Sequence, residues 1–178
     1  CIAFNPFIPV FSAAMNYRDH RKITIIDGHT AFTGGINLAD EYINKKTRFG
    51  HWKDNGVMLK GEAVRTFTLL FLTMWNAFRK TDDALERFMP RPSDNEGINS
   101  QGYLAPYGDS PMDNEILGEN VYLNIINNAK NYVYIFTPYL IVDHEMMSAL
   151  CLASKRGVDV RIITPGIPDK KIVYQLTR

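Results

Sequence analysis

Two apolar strand segments separated by a helix constrain the fold of this chain more than any other feature. They are residues 132–137 (YVYIFT) and 158–163 (VDVRII). Between them, Asp143 is a suitable N-cap for a helix that runs to about Arg156 and ends at Gly157. A strand–helix–strand unit of this length predicts a parallel pair with a right-handed crossover. We therefore expect an α/β fold with a mixed or parallel β-sheet flanked by helices.

The first half of the chain has a different pattern. Residues 22–27 and 30–33 flank an Asp-Gly pair that is typical of a tight β-hairpin turn. Residues 55–60 predict another strand, residues 62–79 a helix, and residues 120–130 a helix before the parallel unit. The helix over 62–79 has an apolar stripe at helical spacing, which we interpret as core. It consists of Val64, Phe67, Phe71, Met74, Trp75 and Phe78.

Composition limits the classes of protein that fit. The 178 residues are 46% hydrophobic and 22% charged with a net charge of +1, which excludes fibrous and wholly disordered chains and argues against a nucleic-acid partner. The longest apolar run, residues 67–78, is shorter than the roughly 20 residues of a bilayer span. Two cysteines weakly indicate a reducing compartment. An acidic stretch rich in Pro, Gly, Ser and Asn predicts a connecting segment, residues 81–112, between domains at 1–80 and 113–178.

His20 and Lys22 carry the chemistry that stands out. Two residues apart on a strand, they project from the same face, where an ammonium can neutralise phosphoryl oxygens and an imidazole can attack phosphorus or move a proton. Asp27 follows at the predicted turn and would not share that face. Taken alone, His20 and Lys22 fit a surface strand pair, and Asp27 fits the start of an Asp-Gly turn. The joint pattern, followed by Gly34, Gly35 and Asn37, is more specific.

That pattern resembles the HKD motif of the phospholipase D superfamily, and the surrounding sequence resembles its bacterial cardiolipin synthase branch. The resemblance extends over nearly the whole chain and weakens between residues 80 and 112. The segments that carry it are NYRDHRK at 16–22, AFTGGINLADEY at 31–42, WKD at 52–54, AKNYVYIFTPY at 129–139 and KRGVDVRIITPG at 155–166. The resemblance implies a phospholipase D-like fold.

The resemblance also implies a mechanism without a metal or other cofactor. One HKD histidine attacks the phosphodiester, and a partner histidine protonates the leaving alcohol and then deprotonates the incoming one. His20, Lys22 and Asp27 would be the catalytic set, with Asp27 structural or orienting a histidine. Asn37 would bind phosphoryl oxygens, and Gly34 and Gly35 would let the backbone approach, although both also fit ordinary turn glycines.

Tyr139 would line the substrate channel because it follows a parallel-type strand, although a plain strand-ending turn explains it equally well. The implied substrate is an anionic phospholipid, phosphatidylglycerol. The implied location is a bacterial cell membrane, which the full-length protein would contact, whereas this chain by itself is expected to be soluble, with no transmembrane segment.

The chain departs from the family in holding one HKD motif instead of two. Residues 1–80 resemble the later part of a first repeat and residues 113–178 the early part of a second, so we expect a piece of a longer protein. Three interpretations stay open: a phosphatidyltransferase, a phosphodiesterase or nuclease that works as a dimer, and an inert fragment. A homodimer would bring two copies of His20 together.

Overall fold

A computed structural model describes residues 1–5, 19–79, 85–89, 101–110 and 114–167. Part of the predicted connecting segment, residues 81–112, therefore lies outside the described residues. The chain divides into two compact units. The first consists of Cys1–Lys46 and Trp52–Tyr107, and the second of Thr47–His51 and Gly108–Arg178. The assignment of these parts to two repeats stays a prediction.

The first unit contains a three-stranded antiparallel sheet in the order β1–β2–β3. The strands are β1 (Ile23–Ile26), β2 (Thr30–Gly34) and β3 (Gly56–Lys60). β1 and β2 form the predicted hairpin, with Ile23 opposite Thr33. Asp27 and Gly28 take positive φ values of 53° and 66° at the turn, which Asp tolerates better than most residues and Gly adopts freely.

Helix α1 (Val64–Phe78) covers one face of this sheet. Ala31, Val64 and Phe67 are buried between them, and the apolar residues of β1 and β3 that face the helix complete the small core. In the predicted stripe Val64 and Phe67 are core, whereas Phe71 is 45% exposed and Met74 and Trp75 are only partly buried. The side chain of Phe78 lies outside the described part of the chain. A short 3-10 helix, Leu85–Phe88, follows α1 within the connecting segment.

The second unit contains the parallel pair that the sequence predicts. β4 (Tyr132–Phe136) and β5 (Asp159–Ile163) are parallel, with Val133 opposite Val160. Helices α2 (Leu117–Asn128) and α3 (His144–Lys155) pack with them around a core that includes Ile126, Leu150 and Val158. The α/β class is thus confirmed, with parallel and antiparallel strands in separate sheets.

The ends of α3 follow the predicted chemistry. The Asp143 carboxylate accepts a hydrogen bond from the Met146 backbone N–H at 2.8 Å, which satisfies one of the unpaired donors of the first turn. Gly157 takes a φ of 91° just after the helix, a conformation that costs glycine little. Among the described residues, no helix is long and apolar enough to cross a membrane.

Candidate active site

The side chains of His20 and Lys22 meet just before β1, as their spacing predicts. The Lys22 Nζ lies 2.9 Å from His20 Nε2 and 3.1 Å from Nδ1, and it donates to the His20 carbonyl oxygen at 2.7 Å. A lysine ammonium can only donate, so the ring nitrogen that receives its hydrogen must carry a lone pair. A histidine ring nitrogen that carries a lone pair is also the one that can act as a nucleophile.

A glycine-rich surface lies next to this pair in the sheet. Ile23 pairs with Thr33, so Lys22 comes level with Gly34, and Gly34 in turn pairs with Gly56 on β3. The Gly35 backbone N–H continues the ladder by donating to the Asn55 carbonyl oxygen at 3.3 Å. A Cβ at Gly34 would overlap the Asn55 carbonyl oxygen and lie 2.8 Å from Gly56 Cα, so the two glycines let β2 and β3 approach each other closely beside Lys22.

Asp54 is the residue that sequence reasoning could match to the family without giving it a role. Its carboxylate accepts hydrogen bonds from the Asn55 backbone N–H at 2.8 Å and from Trp52 Nε1 at 3.3 Å. It lies against Gly35 so closely that a methyl group there would overlap it. The WKD segment at residues 52–54 marks Asp54 in the sequence as a candidate site residue. Only the tertiary structure reveals its electrostatic interaction with Lys22.

The charge state of Lys22 depends on these neighbours. Burial lowers the pKa of Lys22 below its ordinary value, while the negative charges of Asp54 and Asp19 act to raise it. The two carboxylates thus help to keep the ammonium protonated. A protonated Lys22 is the form that can neutralise phosphoryl oxygens.

Asp19 and Arg21, on either side of His20, form an ion pair with each other. Arg21 Nε lies 2.9 Å from Asp19 Oδ1. Burial acts to raise the pKa of Asp19, but its hydrogen bonds from Arg21 outweigh this effect and leave that pKa below the ordinary value. The Arg21 guanidinium also contacts the sulfur of Met74 on α1. Asp19 and Arg21 are therefore paired with each other, and their contacts hold the chain in place on both sides of His20.

Among the other predicted site residues, Asp27 and Asn37 belong to the first unit with His20, and Tyr139 belongs to the second. Asp27 lies at the hairpin turn, about 16 Å along the extended strand from Lys22. Asn37 is partly buried in the loop after β2, and among the described residues its side chain makes no hydrogen bond to His20 or Lys22. Tyr139 lies in the second unit just beyond the end of β4, where its carbonyl oxygen accepts a hydrogen bond from Thr137 Oγ1 at 2.8 Å.

Comparisons with known proteins find relatives that align with nearly the whole chain. Residues 122–178 match a family described as cardiolipin synthase, PLD-like domain. A cardiolipin synthase of Alkalihalophilus pseudofirmus is 36% identical over 99% of this chain, and one of Halalkalibacterium halodurans is 37% identical over 97% of it. The chain belongs to the cardiolipin synthase branch of the phospholipase D superfamily.

The cardiolipin synthase relatives are longer than this chain, which spans 35% of the length of each of the two named. An uncharacterized protein of Streptococcus mutans is more similar, at 56% identity over 98% of this chain and 37% of its own length. No solved structure matches significantly. The chain therefore corresponds to about a third of a cardiolipin synthase.

Proposed function

We propose that this chain contributes one half of a phosphatidyltransferase active site, with His20 as the group that reacts with phosphorus. The observation that supports the proposal best is the contact between His20 and Lys22, next to the paired glycines of β2 and β3. A nucleophile with a lone pair and a fixed cation are the two groups that attack on a phosphodiester requires. The proposed substrate is phosphatidylglycerol, two molecules of which would give the cardiolipin after which the relatives are named.

The first step transfers the phosphatidyl group to His20. An imidazole nitrogen of His20 attacks phosphorus, the bond between phosphorus and the glycerol oxygen breaks, and that oxygen takes a proton from a general acid. A phosphatidyl-histidine and free glycerol result. In the second step the hydroxyl of another phosphatidylglycerol loses its proton to the same acid–base group and attacks phosphorus. Cardiolipin forms and His20 is released unchanged.

Lys22 would stabilise the charge that develops on the phosphoryl oxygens. Its ammonium is held within hydrogen-bond distance of the proposed nucleophile, so it needs little rearrangement as the reaction proceeds. Asp54 would keep Lys22 protonated. Asn37 would add a donor to the same oxygens, Gly34 and Gly35 would admit the phosphate, and Asp27 would hold the hairpin turn.

By the family resemblance the general acid would be a second imidazole, and no second histidine in this sequence has the full motif. His51 and Lys53 have the spacing of the first two members, but residue 58 is methionine instead of aspartate. The acid would therefore come from a longer protein or from a second copy of this chain. Tyr139 would line the substrate channel, and the assembled enzyme would work at the surface of a bacterial cell membrane.

A product assay tests the proposal. Phosphatidylglycerol labelled in its terminal glycerol is incubated with the protein, and the lipids and water-soluble products are resolved. Cardiolipin and free glycerol are expected from the unaltered protein and from His51→Ala, the matched control, but not from His20→Ala. Mass spectrometry of the quenched protein should find the phosphatidyl group on His20.

Other outcomes count against transfer. Phosphatidic acid in place of cardiolipin would make water the acceptor and the protein a hydrolase. Equal product from His20→Ala would remove His20 from the mechanism. The absence of product and of modified histidine, in this chain and in a protein of the relatives' full length, would refute the proposal altogether.

A further inference from the structure

The face of the antiparallel sheet opposite α1 has an open groove of about 400 Å³. This outer groove is lined by Lys22 and Gly34 in one row and by Phe32 and Met58 in the next. Its volume falls in the range of roughly 300–1,000 Å³ that is typical of small-molecule clefts. All of its lining residues belong to the first unit.

The outer groove has a charged end and an apolar end along the direction of the strands. Lys22 is its cation, and the glycine backbone at Gly34 and Gly56 lies level with it. Two residues further along β2 and β3, Phe32 and Met58 face each other across the strands and are 42% and 56% exposed. Phe32 and Met58 thus form an apolar row on the outer face of the sheet, next to the row that holds Lys22.

We propose that the outer groove receives the acyl end of the phospholipid whose phosphate lies at Lys22. The inference rests on the proposed function and adds a specificity determinant, the Phe32–Met58 pair, to the same site. Two strand residues, about 7 Å, separate the cationic row from the apolar row. A glycerol unit covers that span between a phosphate and the start of an acyl chain, so one amphipathic molecule matches both rows.

A second cleft, against α1, suits this role less well. It is lined by Phe71, Met74 and Trp75, and the cation in its wall is Arg21. Arg21 is already paired with Asp19 at 2.9 Å, so its charge is largely neutralised. In the outer groove, by contrast, the cation is the residue that contacts the proposed nucleophile. Charge complementarity therefore favours the outer groove for a lipid that carries a phosphate.

A binding experiment separates the two ends of the ligand. Calorimetry compares dihexanoyl phosphatidylglycerol, kept below its micellar concentration, with glycerophosphoglycerol, which has the same phosphodiester and no acyl chains. The unaltered chain should bind the acylated compound more tightly. Met58→Gln should reduce that advantage about fivefold, because it removes part of the apolar contact, and leave glycerophosphoglycerol unaffected. Met147→Gln, at a methionine 46% exposed on α3, is the matched control and should change neither affinity.

The outcomes distinguish this inference from the proposed function. Equal affinity for both compounds, or no effect of Met58→Gln, would overturn the acyl assignment while phosphate binding stands. Lys22→Ala should weaken both compounds. If Lys22→Ala left the affinity for the acylated compound unchanged, the phosphate site would be overturned and the apolar part of the groove would stand. No binding of either compound overturns both. A dimer that Met58→Gln converts to monomer, with no preference for the acylated compound, would make a second copy the occupant and refute the inference.

Discussion

Replacing Gly35 by alanine adds a methyl group where the backbone lies against Asp54. A Cβ at residue 35 would overlap Asp54 Oδ1 and would lie 2.8 Å from Oδ2 and 2.9 Å from Cγ. The atoms in the way belong to a side chain, so the carboxylate can move aside while the β2–β3 ladder stays in place. Gly35→Ala is therefore expected to displace Asp54 without unfolding the sheet.

The cost follows from the hydrogen bonds that the carboxylate would leave. Asp54 accepts one from the Asn55 N–H at 2.8 Å and a longer one from Trp52 Nε1 at 3.3 Å. Each bond contributes about 0.5–1.5 kcal/mol net, and water can replace part of this because the site is partly exposed. We expect Gly35→Ala to lower the free energy of unfolding by about 1–2 kcal/mol.

Urea unfolding followed by tryptophan fluorescence measures this change. A Trp75→Phe background leaves Trp52, whose indole N–H contacts Asp54, as the only emitter. Gly166→Ala is the matched control, because a methyl there would have nothing within 4 Å. In an Asp54→Ala background, where the obstructing carboxylate is absent, Gly35→Ala should cost little.

Two results would refute this reasoning. Equal stabilities of Gly35→Ala and Gly166→Ala would mean that the close contact at Asp54 has no energetic weight. A cost that persists in full without the Asp54 carboxylate would place the strain in the backbone instead.

Two further predictions concern the N-cap of α3 and the ion pair of Asp19. Asp143→Ala should destabilise the second unit by about 1 kcal/mol, and Asp143→Ser should recover most of that stability, because serine also accepts from the Met146 N–H. Equal thermal stability of the alanine and serine variants would contradict this. The folded pKa of Asp19 is lowered, so its ionised form stabilises the protein above the ordinary carboxyl pKa and that stability is lost as the pH falls through the folded value. Asp19→Asn should therefore flatten the acid limb of stability in melts between about pH 2 and 5, and an unchanged limb would exclude this pair as a contributor.

Half of the candidate site could be predicted from the sequence, because it depends on local geometry. A spacing of two residues on an extended chain is enough to bring His20 and Lys22 together, and their side chains do meet. Asp54 could not be given a role in the same way, since it is 32 residues from Lys22 along the chain. Only the pairing of β2 with β3 brings it beside Gly35.

The same division holds for the fold. The hairpin at Asp27-Gly28, the cap at Asp143 and the parallel pairing of β4 with β5 follow from short-range preferences, and the sequence by itself determined them. The burial of the stripe on α1 did not follow, because helical periodicity marks a face without saying how much of it a partner covers. The three-stranded sheet covers Val64 and Phe67 and leaves Phe71 half exposed. Burial and long-range electrostatics depend on neighbours distant in sequence, so only the tertiary structure decided them.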